Sequence, residues 1–161
     1  MPGRRGDPPR SYEPLDIAWF EEPLPADDLA GHRRMSASIG GPVAVGESLY
    51  SVLQRFGAYL AAGAARIVQV DVAHVGGITP WLKVTHVAEA CNVAVSPHFL
   101  MKLHVSLAAP VPDGIFVERI PQLQAIKHST LTIEGGCLAA PDVPGIGIDW
   151  NPDALDDHRV V

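Results

Sequence analysis

Short apolar segments alternate with longer segments of helical spacing along most of the chain. From residue 15 onward the apolar segments are three to five residues long and mostly β-branched or aromatic, which is typical of buried parallel strands. They lie at residues 17–20, 42–45, 66–70, 92–95 and 115–117. Because helical patterns separate them, the sequence predicts an α/β fold with a parallel sheet and helices outside it.

Helix boundaries between these strands are marked by capping residues. The four predicted helices cover about residues 27–38, 51–62, 79–91 and 100–109. Asp27 or Asp28 can cap the first helix, and Thr79 is the expected N-cap of the third, with Pro80 at its first position. The pattern is lost after residue 120, where residues 131–133 and 137–139 are predicted as two short strands and residues 141–150 as loop.

An acid or an imidazole follows every predicted strand. These residues are Glu21, Glu47, Asp71, His98 and Glu118, and they are separated by 20–27 residues. A (β/α)8 barrel of ~250 residues averages about 31 residues per β/α unit, and units with short loops are shorter. Because all strands of a parallel barrel end on one face, we expect the five side chains around a single mouth, where barrel active sites are built.

The residue types at this mouth suit metal-assisted acid–base chemistry. Several carboxylates held together need a counter-charge, and oxygen ligands such as those of Glu21 and Glu47 suit Mg²⁺. Asp71 beside His98 would fix the histidine tautomer, as a general base requires. Each residue alone could equally be a solvated loop carboxylate, a helix cap or a surface histidine, and Glu22 fits that interpretation. Recurrence at all five strand ends favours a site.

The remaining candidates for chemistry have simpler explanations. We interpret the other histidines as surface or packing residues, with His86 and His104 on helices facing away from the site; the full set is His32, His74, His86, His104, His128 and His158. Gly76 and Gly77 before a helix could bind phosphate at the helix N-terminus. Without a basic partner, tight-turn glycines are the preferred interpretation.

Composition excludes several classes of protein. The formal net charge of −6 and the lack of a basic run beyond the N-terminal tail argue against a nucleic-acid partner. No apolar run is long enough for a membrane span, and the N-terminus lacks the apolar core of a signal peptide. A cytoplasmic protein is therefore expected. Cys91 and Cys137 are interpreted as reduced thiols outside any zinc site. Residues 1–14 are expected to be a disordered or non-native tail.

Several motifs together resemble the mandelate racemase subgroup of the mandelate racemase/muconate lactonizing enzyme family, in the enolase superfamily. The resemblance covers about residues 15–150. The matching motifs are WFEEPL at residues 19–24, GE at 46–47, VD at 70–71 with GGIT at 76–79, SPH at 96–98, VE at 117–118 and PGIG at 144–147.

This resemblance implies a role for each candidate residue. Glu21 and Glu47 would be two of three carboxylate ligands to Mg²⁺, and Asp71 and His98 would form a dyad with His98 as the base or acid. Glu118 would hydrogen-bond the substrate carboxylate as it becomes an enediolate. Members of the family dehydrate sugar acids to 2-keto-3-deoxy acids or racemise 2-hydroxy acids. The WFEEPL and SPHF motifs, which its sugar-acid members often carry, favour dehydration.

The resemblance also implies a partial structure. We expect a partial (β/α)8 TIM barrel of about the last five strands over residues 15–122, followed by an irregular segment, residues 123–161, that would pack on a capping domain. That domain, the first three strands, the third metal carboxylate and a second catalytic lysine are expected to lie outside this sequence, since Asp16 is at the wrong end of its strand to be the missing ligand. The chain alone would be weakly active or inactive. A homo-oligomer is expected, and the open alternatives are a racemase or epimerase and a non-catalytic half-barrel remnant.

Overall fold

The computed structural model describes Tyr12, residues 15–50 and residues 53–160. Apart from Tyr12, the predicted N-terminal tail up to residue 14 lies outside the described residues, as do Ser51 and Val52 at the start of the second predicted helix. The elements in chain order are β1 (Phe20–Glu21), α1 (Leu29–Ser38), β2 (Val43–Val45), α2 (Leu53–Ala61), β3 (Ile67–Val68), α3 (Ile78–Ala90), β4 (Ala94–Val95), α4 (Met101–Ala108), a 3-10 helix (Gln122–Ile126), β5 (Thr132–Glu134), β6 (Cys137–Ala139) and α5 (Pro152–Asp157).

Strands β1 to β4 form a parallel sheet in sequential order, as the alternating pattern predicts. Phe20 pairs with Val43, Ala44 with Ile67, and Ile67 with Ala94. All three residues of β2 are buried, which is expected of a parallel strand covered on both faces. The sheet therefore directs the carboxyl ends of four strands to one edge.

The hydrophobic core lies between this sheet and the helices that follow its strands. Phe56 of α2 and Trp81 and Val84 of α3 are fully buried, together with the inward-facing valines of the sheet. The indole N–H of Trp81 donates to the carbonyl of Val70 at 3.2 Å, so its one polar atom is satisfied inside the core. This bond ties α3 to the segment that leads from β3 to the mouth.

The capping prediction is right for α1 and wrong for α3. Asp28 precedes α1 and accepts a hydrogen bond from the Gly31 amide at 2.7 Å. Helix α3 instead begins at Ile78 after Gly77, whose φ is 115°. Pro80 fits inside the first turn because amides there have no intrahelical acceptor. The positive φ values of Gly76 and Gly77 agree with their interpretation as turn glycines.

The fifth predicted strand pairs with the sheet only at its start. The amide of Val95 donates to Asp113 and its carbonyl accepts from Ile115, forming a parallel bridge at Gly114. Residues 115–117 are not a strand, and Phe116 is 60% exposed. The prediction of a strand there is wrong because extended backbone becomes a strand only along a hydrogen-bonded neighbour, and β4 ends at Val95.

The C-terminal part of the chain is a mostly exposed segment with little regular structure. Strands β5 and β6 form an antiparallel hairpin around Gly135 and Gly136, close to the predicted positions. The helix α5 and the 3-10 helix were not predicted, although Asn151 caps α5 through its side chain at 3.1 Å. Cys91 and Cys137 are exposed and free, as expected. Within the described part of the chain, the helices are too short or too polar to cross a membrane.

Candidate active site

The predicted site residues lie at the carboxyl ends of the strands. Glu21 is the last residue of β1, Glu47 follows β2 by two residues, and Asp71 and His98 follow β3 and β4 by three residues each. Between β2 and Glu47, the backbone of Gly46 packs against the backbone of Gln69, so that a Cβ at Gly46 would lie 2.4 Å from the carbonyl carbon of Gln69. Glycine therefore permits the close approach of the segments that carry Glu47 and Asp71.

Asp71 and His98 are in direct contact. The Nδ1 atom of His98 lies 3.0 Å from Oδ2 of Asp71, which is fully buried. The other Asp71 oxygen accepts hydrogen bonds from the amides of Ala73 and His74 at 2.6 and 3.3 Å. A carboxylate held by these donors is an acceptor, so it fixes the His98 tautomer that carries its proton on Nδ1. The lone pair of that tautomer is on Nε2.

The Nε2 atom of His98 lies between two carboxylates. It is 3.7 Å from Oε1 of Glu47 and 3.8 Å from Oε2 of Glu118, which is longer than a hydrogen bond. The His98 side chain is 15% exposed, whereas the Glu47 and Glu118 side chains are about 40% exposed. Glu118 is held by the amide of Phe99, which donates to its Oε2 at 3.0 Å. The imidazolium formed by proton uptake at Nε2 would therefore face three carboxylates, with Glu47 and Glu118 near Nε2 and Asp71 at Nδ1.

Glu21 is held by a different set of contacts. Its Oε2 atom accepts a hydrogen bond from the side-chain Nε2 of Gln69 at 2.8 Å and a longer one from the Trp19 indole at 3.3 Å. Its neighbour Glu22 points instead to the loop after β2, where it accepts hydrogen bonds from the amides of Gly46 and Ser48 at 3.1 and 2.8 Å. Glu22 is thus a backbone-capping carboxylate, as the sequence pattern suggested, and Glu21 remains the candidate ligand.

In the part of the chain that the structure describes, two groups of side chains could hold a cation. Asp71, His74 and His98 each offer one ligand atom, and these atoms lie within 4.8 Å of one another. Two nitrogen ligands favour a softer metal than magnesium, and Nδ1 of His98 already bonds to Asp71. The carboxylate oxygens of Glu21 and Glu47, on neighbouring strands, are the donor type that Mg²⁺ prefers. The donor set therefore fits Mg²⁺ at the carboxylates.

Two histidines that the sequence pattern assigned to surface or packing roles lie at or behind the site. The Nδ1 atom of His74 lies 2.8 Å from the carbonyl oxygen of Glu47, and the His74 ring centroid is 5.7 Å from that of His98. His104 is fully buried, and its Nε2 accepts from the amide of Val72, next to Asp71. The prediction that His104 faces away from the site is wrong. Its place on the inner face of α4, six residues after His98, was the available signal.

The remaining histidines match the sequence interpretation. His32 is buried against Tyr59, with ring centroids 5.2 Å apart, and burial raises the pKa of the Tyr59 hydroxyl. His86, His128 and His158 are exposed. None of these four is among the residues that contact Asp71 or His98 in the described part of the chain.

Comparisons with known proteins agree with the fold and the motifs. A family model described as enolase C-terminal domain-like matches residues 9–154. The L-talarate/galactarate dehydratase of Salmonella typhimurium is 32% identical over 145 residues, which are 90% of this chain and 36% of that protein.

Two solved structures show the same fold at similar identity. The L-talarate dehydratase of Polaromonas sp. JS666, complexed with Mg and L-glucarate, has 35% identity and a TM-score of 0.86, covering 91% of this chain and 41% of that one. A racemase from Streptomyces coelicolor A3(2) with bound magnesium has 34% identity and a TM-score of 0.88, covering 94% and 42%. The chain thus spans about two fifths of the length of these relatives.

Proposed function

Because the chain belongs to the enolase C-terminal domain-like family, we propose that it carries the acid–base half of a magnesium-dependent site that removes the proton α to a carboxylate. The substrate would be a sugar acid, and loss of water would give a 2-keto-3-deoxy acid. One observation supports the proposal above all others: the buried Asp71 carboxylate bonds Nδ1 of His98 and leaves Nε2 facing the mouth between Glu47 and Glu118.

Proton transfer would take place at Nε2 of His98. The C–H bond α to the carboxylate breaks, and its proton goes to the Nε2 lone pair, while Asp71 stabilises the imidazolium through Nδ1. The same proton can then be returned to the β-hydroxyl group as it leaves as water. The enol that remains becomes the 2-keto acid by tautomerisation, so one molecule of water is lost overall.

The carboxylates would have separate roles. Glu21, oriented by Gln69, and Glu47 would hold Mg²⁺, which when bound supplies positive charge for the developing negative charge of the substrate carboxylate. Glu118, fixed by the Phe99 amide, would hydrogen-bond the same carboxylate as it becomes an enediolate. These roles match the donor types and positions of the side chains.

The proposed parent architecture is a (β/α)8 barrel, to which residues 15–122 contribute the four strands β1 to β4 and the bridge at Gly114. Sequential parallel order of β1 to β4 and the coverage of about two fifths of the relatives support this assignment. Residues 123–161 would pack on a capping domain, which fits the high exposure of residues 123–160. We also propose self-association, because β1 is an edge strand of the described sheet and unpaired edges favour pairing.

Exchange of the α-proton tests the proposal. The full 161-residue chain is incubated with glucarate and Mg²⁺ in deuterated water, and loss of the α-proton signal is followed by NMR. We expect slow exchange that depends on Mg²⁺ and is lost in His98→Asn, because asparagine lacks the Nε2 base. His86→Asn, at an exposed position on α3, is the matched control and should exchange normally.

The outcomes separate the candidate functions. Exchange with loss of water supports a dehydratase, and exchange with inversion at the α-carbon supports a racemase or epimerase instead. Absence of exchange in the wild-type chain, or an unchanged rate in His98→Asn, contradicts the proposal and supports a non-catalytic remnant.

A further inference from the structure

His104 connects the two loops that carry the Asp71–His98 pair. From the first turn of α4, its Nε2 accepts a hydrogen bond from the Val72 amide at 3.1 Å. Its Nδ1 lies 2.8 Å from the carbonyl oxygen of Phe99 and donates to it. Val72 directly follows Asp71, and Phe99 directly follows His98. One imidazole therefore bonds to both backbone segments that hold the pair.

The contacts of His104 require its neutral form with the proton on Nδ1. A carbonyl oxygen accepts only, so Nδ1 is the donor, and an amide N–H donates only, so Nε2 is the acceptor. The ring is fully buried and stacks against Trp81, with centroids 5.9 Å apart. Burial lowers the pKa of His104 and outweighs the opposing effects of the Phe99 carbonyl and Asp71. The neutral ring is thus suited to a structural tie rather than to proton transfer.

The backbone after His98 needs such a tie. Phe99 and Leu100 have φ values of 55° and 29°, in the left-handed region that costs non-glycine residues roughly 1 kcal/mol or more each. The Phe99 peptide is held on both sides in this conformation, since its N–H donates to Glu118 and its C=O accepts from His104. Release of either bond would favour relaxation of the turn that positions the His98 ring.

We propose that His104 is a positioning residue that fixes the Asp71–His98 pair by bonding the Val72 amide and the Phe99 carbonyl at once. Among the described residues its side chain hydrogen-bonds to the Val72 and Phe99 peptide groups and not to the side chains of the pair, so it acts through the backbone. Its effect on catalysis rests on the proposed function, whereas its effect on the geometry of the pair does not.

Three substitutions separate the two bonds. The side-chain N–H of asparagine can replace Nδ1, so His104→Asn keeps donation to Phe99 and loses the Val72 bond. The side-chain oxygen of glutamine can reach the position of Nε2, so His104→Gln keeps the Val72 bond and loses the Phe99 bond. His104→Leu loses both and retains apolar packing on Trp81. The exposed His86→Asn is the matched control.

Two NMR readouts test the role without any assay of activity. Hydrogen exchange of the Val72 amide should accelerate roughly five- to tenfold in His104→Asn and His104→Leu but not in His104→Gln, as expected for loss of one hydrogen bond. The downfield Nδ1–H resonance of His98, which reports its bond to Asp71, should weaken or shift in His104→Gln and His104→Leu. His86→Asn should change neither readout.

Kinetics connect the geometry to the proposed reaction. If the wild-type chain exchanges α-protons, His104→Leu should lower kcat about 100-fold, as expected for displacement of a base by about 1 Å, with KM for glucarate unchanged. Wild-type values for Val72 exchange and the His98 resonance in all three folded variants would overturn the proposal. Lack of α-proton exchange in the wild-type chain would contradict the proposed function alone, because the NMR readouts would still decide the role of His104.

Discussion

Replacing Gly46 by alanine tests whether a glycine is needed for the close approach of the segments that follow β2 and β3. The added Cβ would lie 2.4, 2.5 and 2.7 Å from three backbone atoms of Gln69, whereas ordinary contacts begin near 3.4 Å. Because backbone atoms cannot rotate away, the two segments must separate by about 1 Å, and overpacking of this kind costs roughly 1–3 kcal/mol. The reduced entropy of the unfolded chain returns about 0.4–1 kcal/mol, but an alanine at the φ of 157° that Gly46 adopts adds a backbone strain of about the same size. The net loss of unfolding free energy is therefore about 1–3 kcal/mol.

Gly57 provides the matched control for this substitution. It lies within α2, and a Cβ there would meet nothing within 4 Å, so Gly57→Ala should stabilise the chain by about 0.5–1 kcal/mol through helix propensity. Urea unfolding followed by tryptophan fluorescence measures both variants. The Gly46→Ala midpoint should fall by about 1 M, given typical urea slopes, and the Gly57→Ala midpoint should rise. Equal midpoints for Gly46→Ala and wild type would refute the packing argument.

Three further predictions concern the core and the buried titratable groups. Phe56→Ala should lower the unfolding free energy by about 3–5 kcal/mol, because Phe56 is fully buried, and a urea midpoint near wild type would contradict this. The pKa of His104 in the folded chain is below its ordinary value of 6.5. Below pH 6.5 the unfolded chain therefore binds a proton that the folded chain does not, and the unfolding free energy decreases as the pH is lowered, by up to about 1.4 kcal/mol per pH unit. His104→Gln should flatten this slope in pH-dependent urea unfolding, and an unchanged slope would contradict the lowered pKa of His104. Burial and the nearby Lys102 lower the pKa of Lys127, so its acetylation, followed by mass spectrometry, should have a pH midpoint below 10.5, and a midpoint at or above that value would be inconsistent.

The sequence predicts the parallel sheet well because its signal is local. Each strand is a short β-branched or aromatic run, and each following helix carries its own stop signal. Asp28 caps α1 as predicted, since N-capping depends only on neighbouring amides. The start of α3 is missed because both Gly77 and Thr79 satisfy local rules, and the backbone turn at Gly76 and Gly77 decides between them.

The candidate site is only partly readable from the sequence. A charged residue after each strand predicts that Asp71 and His98 approach each other, because parallel strands end on one face. The contacts of His74 and His104 depend instead on loop conformation and on the rotation of α4 about its axis. The left-handed backbone at Phe99 and Leu100 lies directly before α4, and no glycine marks it in the sequence. The contacts of residues beyond the strand ends can therefore be identified only from the structure.

A paramagnetic titration most directly tests the claim that acids and an imidazole share one mouth around a cation. Mn²⁺ replaces Mg²⁺, and the ring-proton signals of His98 are compared with those of His158, which is exposed at the C-terminal end of α5. Because Oε1 of Glu47 lies 3.7 Å from Nε2 of His98, a cation on Glu47 should broaden the His98 signals selectively. Excess Mg²⁺ or Glu47→Gln should restore them. Equal broadening of both histidines, or selective broadening of His98 that persists in Glu47→Gln, would contradict the shared site.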